Sequence, residues 1–274
     1  MSHPSLVDAL RALAAEAGAR IMAVYRKPDL SVQAKADNSP LTEADRAAHA
    51  CIVDGLRGLT PDWPVLSEEA SDIDWSMRRQ WTRYWLVDPL DGTREFINKN
   101  GEFTVNIALV EGNRPVLGVV YAPAQDRMYW AAEGAGAWLA VGDSASEPIR
   151  VQPRKPGAPW RVVGSRSHAG DSLRALLECL GDCRLVPMGS SLKLCLVAEG
   201  RADLYPRLGP TSEWDTAAAQ CIVEQAGGRV VTANLRPLEY NGKDSLLNPH
   251  FIVSAGPVED WSDCLAHSRA TVAS

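Results

Sequence analysis

Apolar residues first recur at three- and four-residue steps: Leu6, Leu10, Leu13, Ala17, Ile21 and Val24. That spacing predicts an amphipathic helix over 5–25, with Ser5 as its cap and Pro28 just past its end. A second helical pattern starts near Thr42, runs through Ala48, Cys51, Ile52 and Leu56, and closes near Gly58. From Tyr84 to Ala132 the texture turns strand-rich, with one short helix expected after Thr93. The apolar runs Val105–Val110 and Val116–Tyr121 flank Glu111-Gly112-Asn113-Arg114-Pro115, which is a hairpin signal, and Met128–Ala132 continues the meander.

After Val151 the pattern changes. Pro153, Pro156, Gly157 and Pro159 make a linker-like stretch, followed by short strands at Arg161–Val163 and Ala202–Tyr205. These alternate with helical patterns at 171–180 and 191–199. Asp215 opens a further helix that closes at Gly227-Gly228, and Val230-Val231 and Phe251–Val253 read as strands. Residues 1–150 therefore read as an α+β part with an antiparallel sheet, and 151–274 as an α/β part. The last residues, from about 266, are small and polar and are expected to fray.

The 274 residues are enough for a sizeable core, in one large or two modest domains. Net charge is −6 with a pI near 5.4, and no Lys/Arg run stands out, which disfavours a nucleic-acid partner. An acidic protein acting on a small polyanion needs metal ions and a few placed cations instead. No run approaches the ~18 apolar residues of a membrane span. The first apolar stretch carries Asp8, Arg11, Glu16 and Arg20, unlike a signal peptide, so a cytoplasmic protein is expected. The six cysteines form no C-x-x-C pair and read as buried free thiols; Cys179 and Cys183, one helical turn apart, are near enough to meet.

Candidate chemistry centres on Trp85-Leu86-Val87-Asp88-Pro89-Leu90-Asp91-Gly92-Thr93-Arg94-Glu95. An apolar run ends in an acid, a second acid follows three residues on, and Gly-Thr opens a helix. Two carboxylates thus stand at a strand tip beside backbone N–H groups able to hold an anion. Glu68-Glu69 likewise follows the apolar Pro64-Val65-Leu66, and Asp215 sits in a similar place far downstream. Glu68, Asp88, Asp91 and Asp215 offer hard oxygen ligands of the kind Mg²⁺ prefers. Four converging carboxylates repel one another unless cations sit among them, and two Mg²⁺ ions would relieve that repulsion while gripping a phosphate. Thr42-Glu43-Ala44-Asp45 reads as a capping box; alternatively Asp45 hydrogen-bonds the Thr93 hydroxyl and the pair orients a water.

These motifs resemble those of the inositol monophosphatase superfamily, the Mg²⁺-dependent, lithium-sensitive sugar-phosphate and nucleotide phosphatases. The resemblance rests on Glu68-Glu69, on Asp88-Pro89-Leu90-Asp91-Gly92-Thr93 and on Trp214-Asp215, in that order. Lys35-Ala36-Asp37-Asn38-Ser39-Pro40, Asn100–Asn106, Ser165-Arg166-Ser167-His168, Gly189-Ser190-Ser191-Leu192-Lys193 and Tyr205-Pro206-Arg207 resemble the branch acting on 3′(2′),5′-bisphosphate nucleotides. The resemblance implies a layered α/β/α/β/α sandwich. It implies one Mg²⁺ on Glu68, Asp88 and the Leu90 carbonyl, a second on Asp88, Asp91 and Asp215, and room for a third. Thr93 with Asp45 would position the attacking water, and the Gly92 and Thr93 N–H groups would hold the phosphate. Ser190, Lys193 and Arg207 are candidates for a second phosphate and the nucleoside, and His168 for the nucleoside or for a plain solvent-facing loop.

The implied reaction is hydrolysis of adenosine 3′,5′-bisphosphate to AMP and phosphate, with 3′-phosphoadenylyl sulfate as a further substrate, in sulfate assimilation. Family members are cytoplasmic, some loosely at the inner membrane face. Rival readings are an inositol phosphatase or fructose 1,6-bisphosphatase of the same superfamily, and a non-catalytic metal- and nucleotide-binding protein. A haloacid-dehalogenase-type phosphatase needs its two acids two apart; here they are three apart.

Overall fold

The computed structural model describes residues 3–28, 32–34, 40–164 and 171–266. The chain opens with α1 (His3–Tyr25), short strands β1 (Val32–Ala34) and β2 (Pro40–Thr42), and α2 (Glu43–Leu59). Then come β3 (Val65–Ser67), α3 (Trp75–Arg78), β4 (Arg83–Asp91) and α4 (Thr93–Ile97). A meander follows: β5 (Thr104–Glu111), β6 (Arg114–Ala122), β7 (Arg127–Ala132), β8 (Ala137–Val141) and β9 (Glu147–Ile149). The remainder alternates through β10 (Trp160–Gly164), α5 (Asp171–Leu180), β11 (Cys183–Pro187), α6 (Leu192–Ala198) and β12 (Leu204–Arg207). A 3₁₀ turn (Glu213–Asp215) leads into α7 (Ala217–Gln225), β13 (Arg229–Thr232) and β14 (Phe251–Ser254).

Side chains alternate across a strand, and here the alternation sorts two sheets into five layers. The larger sheet runs β3-β4-β5-β6-β7-β8-β9. From β4, Trp85 and Val87 join α1 and α2 in one core, while Tyr84 and Leu86 face α6 and α7 in another. The smaller sheet runs β11-β10-β12-β14-β13. Its Phe251 and Val253 close the α6/α7 core from the far side, and Ile252 turns outward to Leu176 of α5, Trp261 and Leu265. The order is helix, sheet, helix, sheet, helix, the sandwich that the family resemblance implied. Helix α7 lies so close on β6 that a Cβ at Gly118 would stand 2.2 Å from the Ala218 carbonyl oxygen.

Several expectations need correction. The larger sheet is not wholly antiparallel: β3 runs parallel to β4, pairing Ser67 with Val87. Helix α1 begins at His3, so Ser5 lies inside its first turn rather than capping it. The strand expected over 202–205 is Leu204–Arg207, and the helix after Asp215 starts at Ala217, behind the 3₁₀ turn. The cysteines are not all free. Cys179 of α5 is disulfide-bonded to Cys264, with Cα atoms 5.3 Å apart. Both elements pack on the outer face of the smaller sheet, which brings together thiols 85 residues apart. Cys183 sits instead in β11, its thiol toward the Leu177 carbonyl. Cys51, Cys195 and Cys221 are buried thiols, as expected.

Candidate active site

The strand ends place the acids. Because β3 and β4 are parallel neighbours, they finish on the same side, and the Glu68 N–H donates to the Val87 carbonyl at 3.0 Å. Asp88 and Asp91 would point to opposite faces of a regular strand, being three residues apart. The register instead slips: Asp88 pairs with Asn106, but Asp91 pairs with Thr104. One extra residue on β4 makes a bulge, which turns Asp91 to the side of Asp88. Pro89, with no N–H to contribute, suits that irregularity, and the Leu90 N–H donates to Asp88 Oδ1 at 3.0 Å.

Asp215 arrives from the second half of the chain. Its carboxylate closes a capping box, accepting the Ser212 N–H at 2.9 Å. Carboxylate oxygens of Asp88, Asp91 and Asp215 lie within 4.8 Å of one another. Burial, and then the charges of Glu68, Asp91 and Asp215, push the Asp88 carboxyl well above the usual range. The Glu68 carboxyl also hydrogen-bonds that of Asp88. Burial and the Asp91 charge push Asp215 up to about 8. Asp88 and Asp215, raised by burial and by like-charged neighbours, stand with Asp91 as hard oxygen donors in a cluster that suits a divalent cation.

Two side chains that sequence reasoning did not single out brace the cluster. The Ser191 hydroxyl stands 2.7 Å from Asp91 Oδ2 and 2.5 Å from the Asp215 carbonyl oxygen, and Asn106 Nδ2 donates to Ser191 Oγ at 2.9 Å. A signal for Asn106 was present: it is the one polar residue inside the apolar run Val105–Val110. Glu102, also missed, accepts the Gly189 N–H at 2.8 Å and so docks the turn before α6 onto the loop after α4. A Cβ at Gly189 would stand 2.6 Å from Glu95 Cγ, so only glycine allows this approach.

Ser190 and Lys193, with Arg207 of β12, stand beside the acids in a cavity of about 80 Å³ shared with Asp91, Tyr205 and Asp215. Lys193 Nζ lies 5.8 Å from the centre of the Tyr205 ring. Burial pushes its ammonium below the ordinary lysine range, against the pull of the Asp91 charge. Arg207 donates through Nη2 to the Pro210 carbonyl at 2.5 Å, while its buried Nε has no hydrogen-bond partner among the described residues.

Gly92, at φ +90°, heads α4 in the left-handed region. The Thr93 hydroxyl donates to the Leu90 carbonyl at 3.5 Å. Asp45 takes the capping role: its Oδ2 accepts the Thr42 N–H at 2.7 Å and the Thr42 hydroxyl at 2.5 Å. Of the segments that carried the resemblance, 35–39 and Ser165–His168 lie outside the described residues.

The inositol monophosphatase family profile matches residues 4–271. This chain belongs to the inositol monophosphatase family. It is 53% identical to the 3′(2′),5′-bisphosphate nucleotidase CysQ of Escherichia coli K12 over 91% of this chain and 99% of that one. It is 37% identical to the CysQ of Haemophilus influenzae, over 93% of this chain and 95% of the relative. Among solved structures of the family, CysQ from Bacteroides thetaiotaomicron superposes with a TM-score of 0.80 at 43% identity, covering 92% of this chain and 98% of that one. The Thermotoga maritima IMPase gives 0.78 at 27% identity, over 98% of both chains. Among the described residues, no helix is long and apolar enough to cross a membrane.

Proposed function

We propose that this chain is a Mg²⁺-dependent 3′(2′),5′-bisphosphate nucleotidase. It would hydrolyse adenosine 3′,5′-bisphosphate to AMP and phosphate, and act on 3′-phosphoadenylyl sulfate, in the cytoplasm and in the service of sulfate assimilation. The observation that carries this reading is 53% identity to the Escherichia coli nucleotidase along nearly its whole length. The converging acids support it chemically.

Glu68, Asp88, Asp91, Asp215 and the Leu90 carbonyl would hold two or three Mg²⁺ ions. Bound there, the ions supply Lewis acidity and charge neutralisation at the phosphate. The chain's own groups do the rest. The Gly92 and Thr93 N–H groups would orient the reacting phosphate. Thr93 would hold the attacking water by its hydroxyl, with Asp45 fixing the start of α2 behind it through Thr42. Ser190, Lys193 and Arg207 would take the phosphate that does not react, Arg207 by its planar fork and Lys193 as a point charge. In this scheme 1–150 supplies most metal ligands, and 151–274 completes the site and the substrate pocket.

The test is phosphate release from adenosine 3′,5′-bisphosphate, inositol 1-phosphate and fructose 1,6-bisphosphate, with and without Mg²⁺ and Li⁺. The reading expects the nucleotide to be strongly preferred, Mg²⁺ to be required and Li⁺ to inhibit. Preference for inositol 1-phosphate would move the chain to the sister activity, and nucleotide binding without turnover would make it a non-catalytic binder.

A further inference from the structure

A buried guanidinium ties the stretch that follows Glu68 to the 241–248 loop, which in turn clasps the turn bearing Asp215. Arg78, the last residue of α3, is 3% exposed. Its Nε donates to the Ile73 carbonyl at 2.9 Å, at the far end of the stretch that begins at Glu68. Its Nη1 donates to Asn241 Oδ1 at 2.9 Å and its Nη2 to the Asp244 carbonyl at 2.6 Å. Asn241 answers with its own Nδ2, which donates to the Arg78 carbonyl at 2.7 Å. The pair is 163 residues apart in sequence.

From Asn241 the connection passes straight to the turn that carries Asp215. The Asn241 N–H donates to Glu213 Oε2 at 2.8 Å, and Glu213 is buried. The 241–248 loop then wraps the turn: the Glu213 N–H donates to the Leu246 carbonyl at 2.9 Å, and Asn248 Nδ2 donates to the Ser212 carbonyl at 2.8 Å. One fork of donors thus spans from the Glu68 loop to the clasp around Asp215.

We propose that Arg78 is a positioning residue for the metal-binding acids, setting the separation of Glu68 from Asp215. The inference rests on the reading that these acids hold divalent cations. A buried cation is a poor way to gain stability alone, since well-packed apolar residues often do as well. What a guanidinium adds is a rigid planar fork that fixes three acceptors at once, which the single ammonium of lysine does not reproduce. Outer partners that orient metal ligands change affinity by about 10–100-fold when removed.

The experiment compares wild type, Arg78→Lys, Asn241→Gly and Asp91→Asn. Mn²⁺ binding to the folded protein is read by electron paramagnetic resonance, alongside thermal melts and KM for the nucleotide at saturating Mg²⁺. Glycine at 241 removes the side chain while tolerating the φ of +50° there. The expected result is Mn²⁺ affinity weakened by about tenfold or more in both Arg78→Lys and Asn241→Gly, with KM little changed. A role confined to stability would lower the melting temperature and leave the affinity of the folded fraction at the wild-type value, which overturns the proposal. If Asp91→Asn alone loses Mn²⁺, the positioning role fails and the metal reading stands. If Asp91→Asn binds like wild type, the metal reading falls and the role of Arg78 falls with it.

Discussion

Ser191 and Asp91 lie 100 residues apart in sequence, yet the Ser191 hydroxyl meets the Asp91 carboxylate at 2.7 Å and the Asp215 carbonyl at 2.5 Å. A hydroxyl has one proton, so it donates to one of these while accepting from Asn106. Ser191→Ala leaves the carboxylate and the carbonyl to drift apart. The expected loss is about 10–100-fold in Mg²⁺ affinity, measured by titrating activity and by calorimetry, with the fold unchanged by circular dichroism. Unaltered Mg²⁺ affinity would reduce the contact to packing.

Asp91→Asn removes a charge from a cluster whose members repel. Turnover should fall by more than about 100-fold, beyond the range for partners that do not touch the metal themselves. The metal-free protein should become more stable, because Asp88 and Asp215 lose a like-charged neighbour. Parallel melts in a chelator decide this; a less stable variant contradicts the electrostatic account.

The acids also set a pH dependence. The folded-state pKa of Asp215, about 8, is raised above its unfolded value, as is that of Asp88. Between the unfolded value and about 8 these acids bind more protons in the folded metal-free protein than in the unfolded chain, so the stability they contribute is greatest at the acid end and is lost as pH rises. Ligands must be deprotonated to take a cation, so the gain in melting temperature on adding Mg²⁺ should grow from pH 5.5 to pH 8.5. A Mg²⁺ shift that is flat across this range would contradict the assignment.

Lys193→Ala tests the second phosphate. A hydrogen bond to a charged group contributes about 1.5–3 kcal/mol, so KM for adenosine 3′,5′-bisphosphate should rise roughly 10–100-fold. KM for a monophosphate should change far less. Equal effects on both would place the lysine at the reacting phosphate instead.

Cys264→Ser opens the loop closed by the Cys179–Cys264 bond. Under oxidising conditions it should cost about 2–4 kcal/mol in denaturant unfolding. With reductant present, wild type and variant should coincide. A gap that survives reduction would mean the thiol itself packs better than the hydroxyl.

How much of this was legible beforehand follows the range of each interaction. The continuous apolar runs of β4 and β5 and the step pattern of α1 are local, and the chain displays them openly. So are the acids, since Asp88 and Asp91 sit where an apolar run ends and Asp215 where a helical one begins. The parallel pairing of β3 with β4 was not legible, because a three-residue strand carries no mark of its neighbour's direction. Ser191, Glu102 and Arg78 act across 100, 87 and 163 residues, and nothing near them in sequence names their partners. The disulfide escaped the sequence for the same reason: all six cysteines read as free thiols, while packing on the smaller sheet joins Cys179 to Cys264. Asp45 shows the reverse case, where the plain local pattern of a capping box described its contacts with Thr42.

Gly118 has a consequence well beyond its own strand. Helix α7 rests on the sheet where a methyl is missing, with the Ala218 carbonyl oxygen occupying the space a side chain would need. Alanine there would have to lift or slide the helix, and Asp215, carried just ahead of its first turn, would ride with it. The glycine sets the depth at which α7 seats on β6, and with it the height of Asp215 beside the acids of β4. Sensitivity to substitution in such a molecule extends beyond the acids to positions where two layers meet without slack.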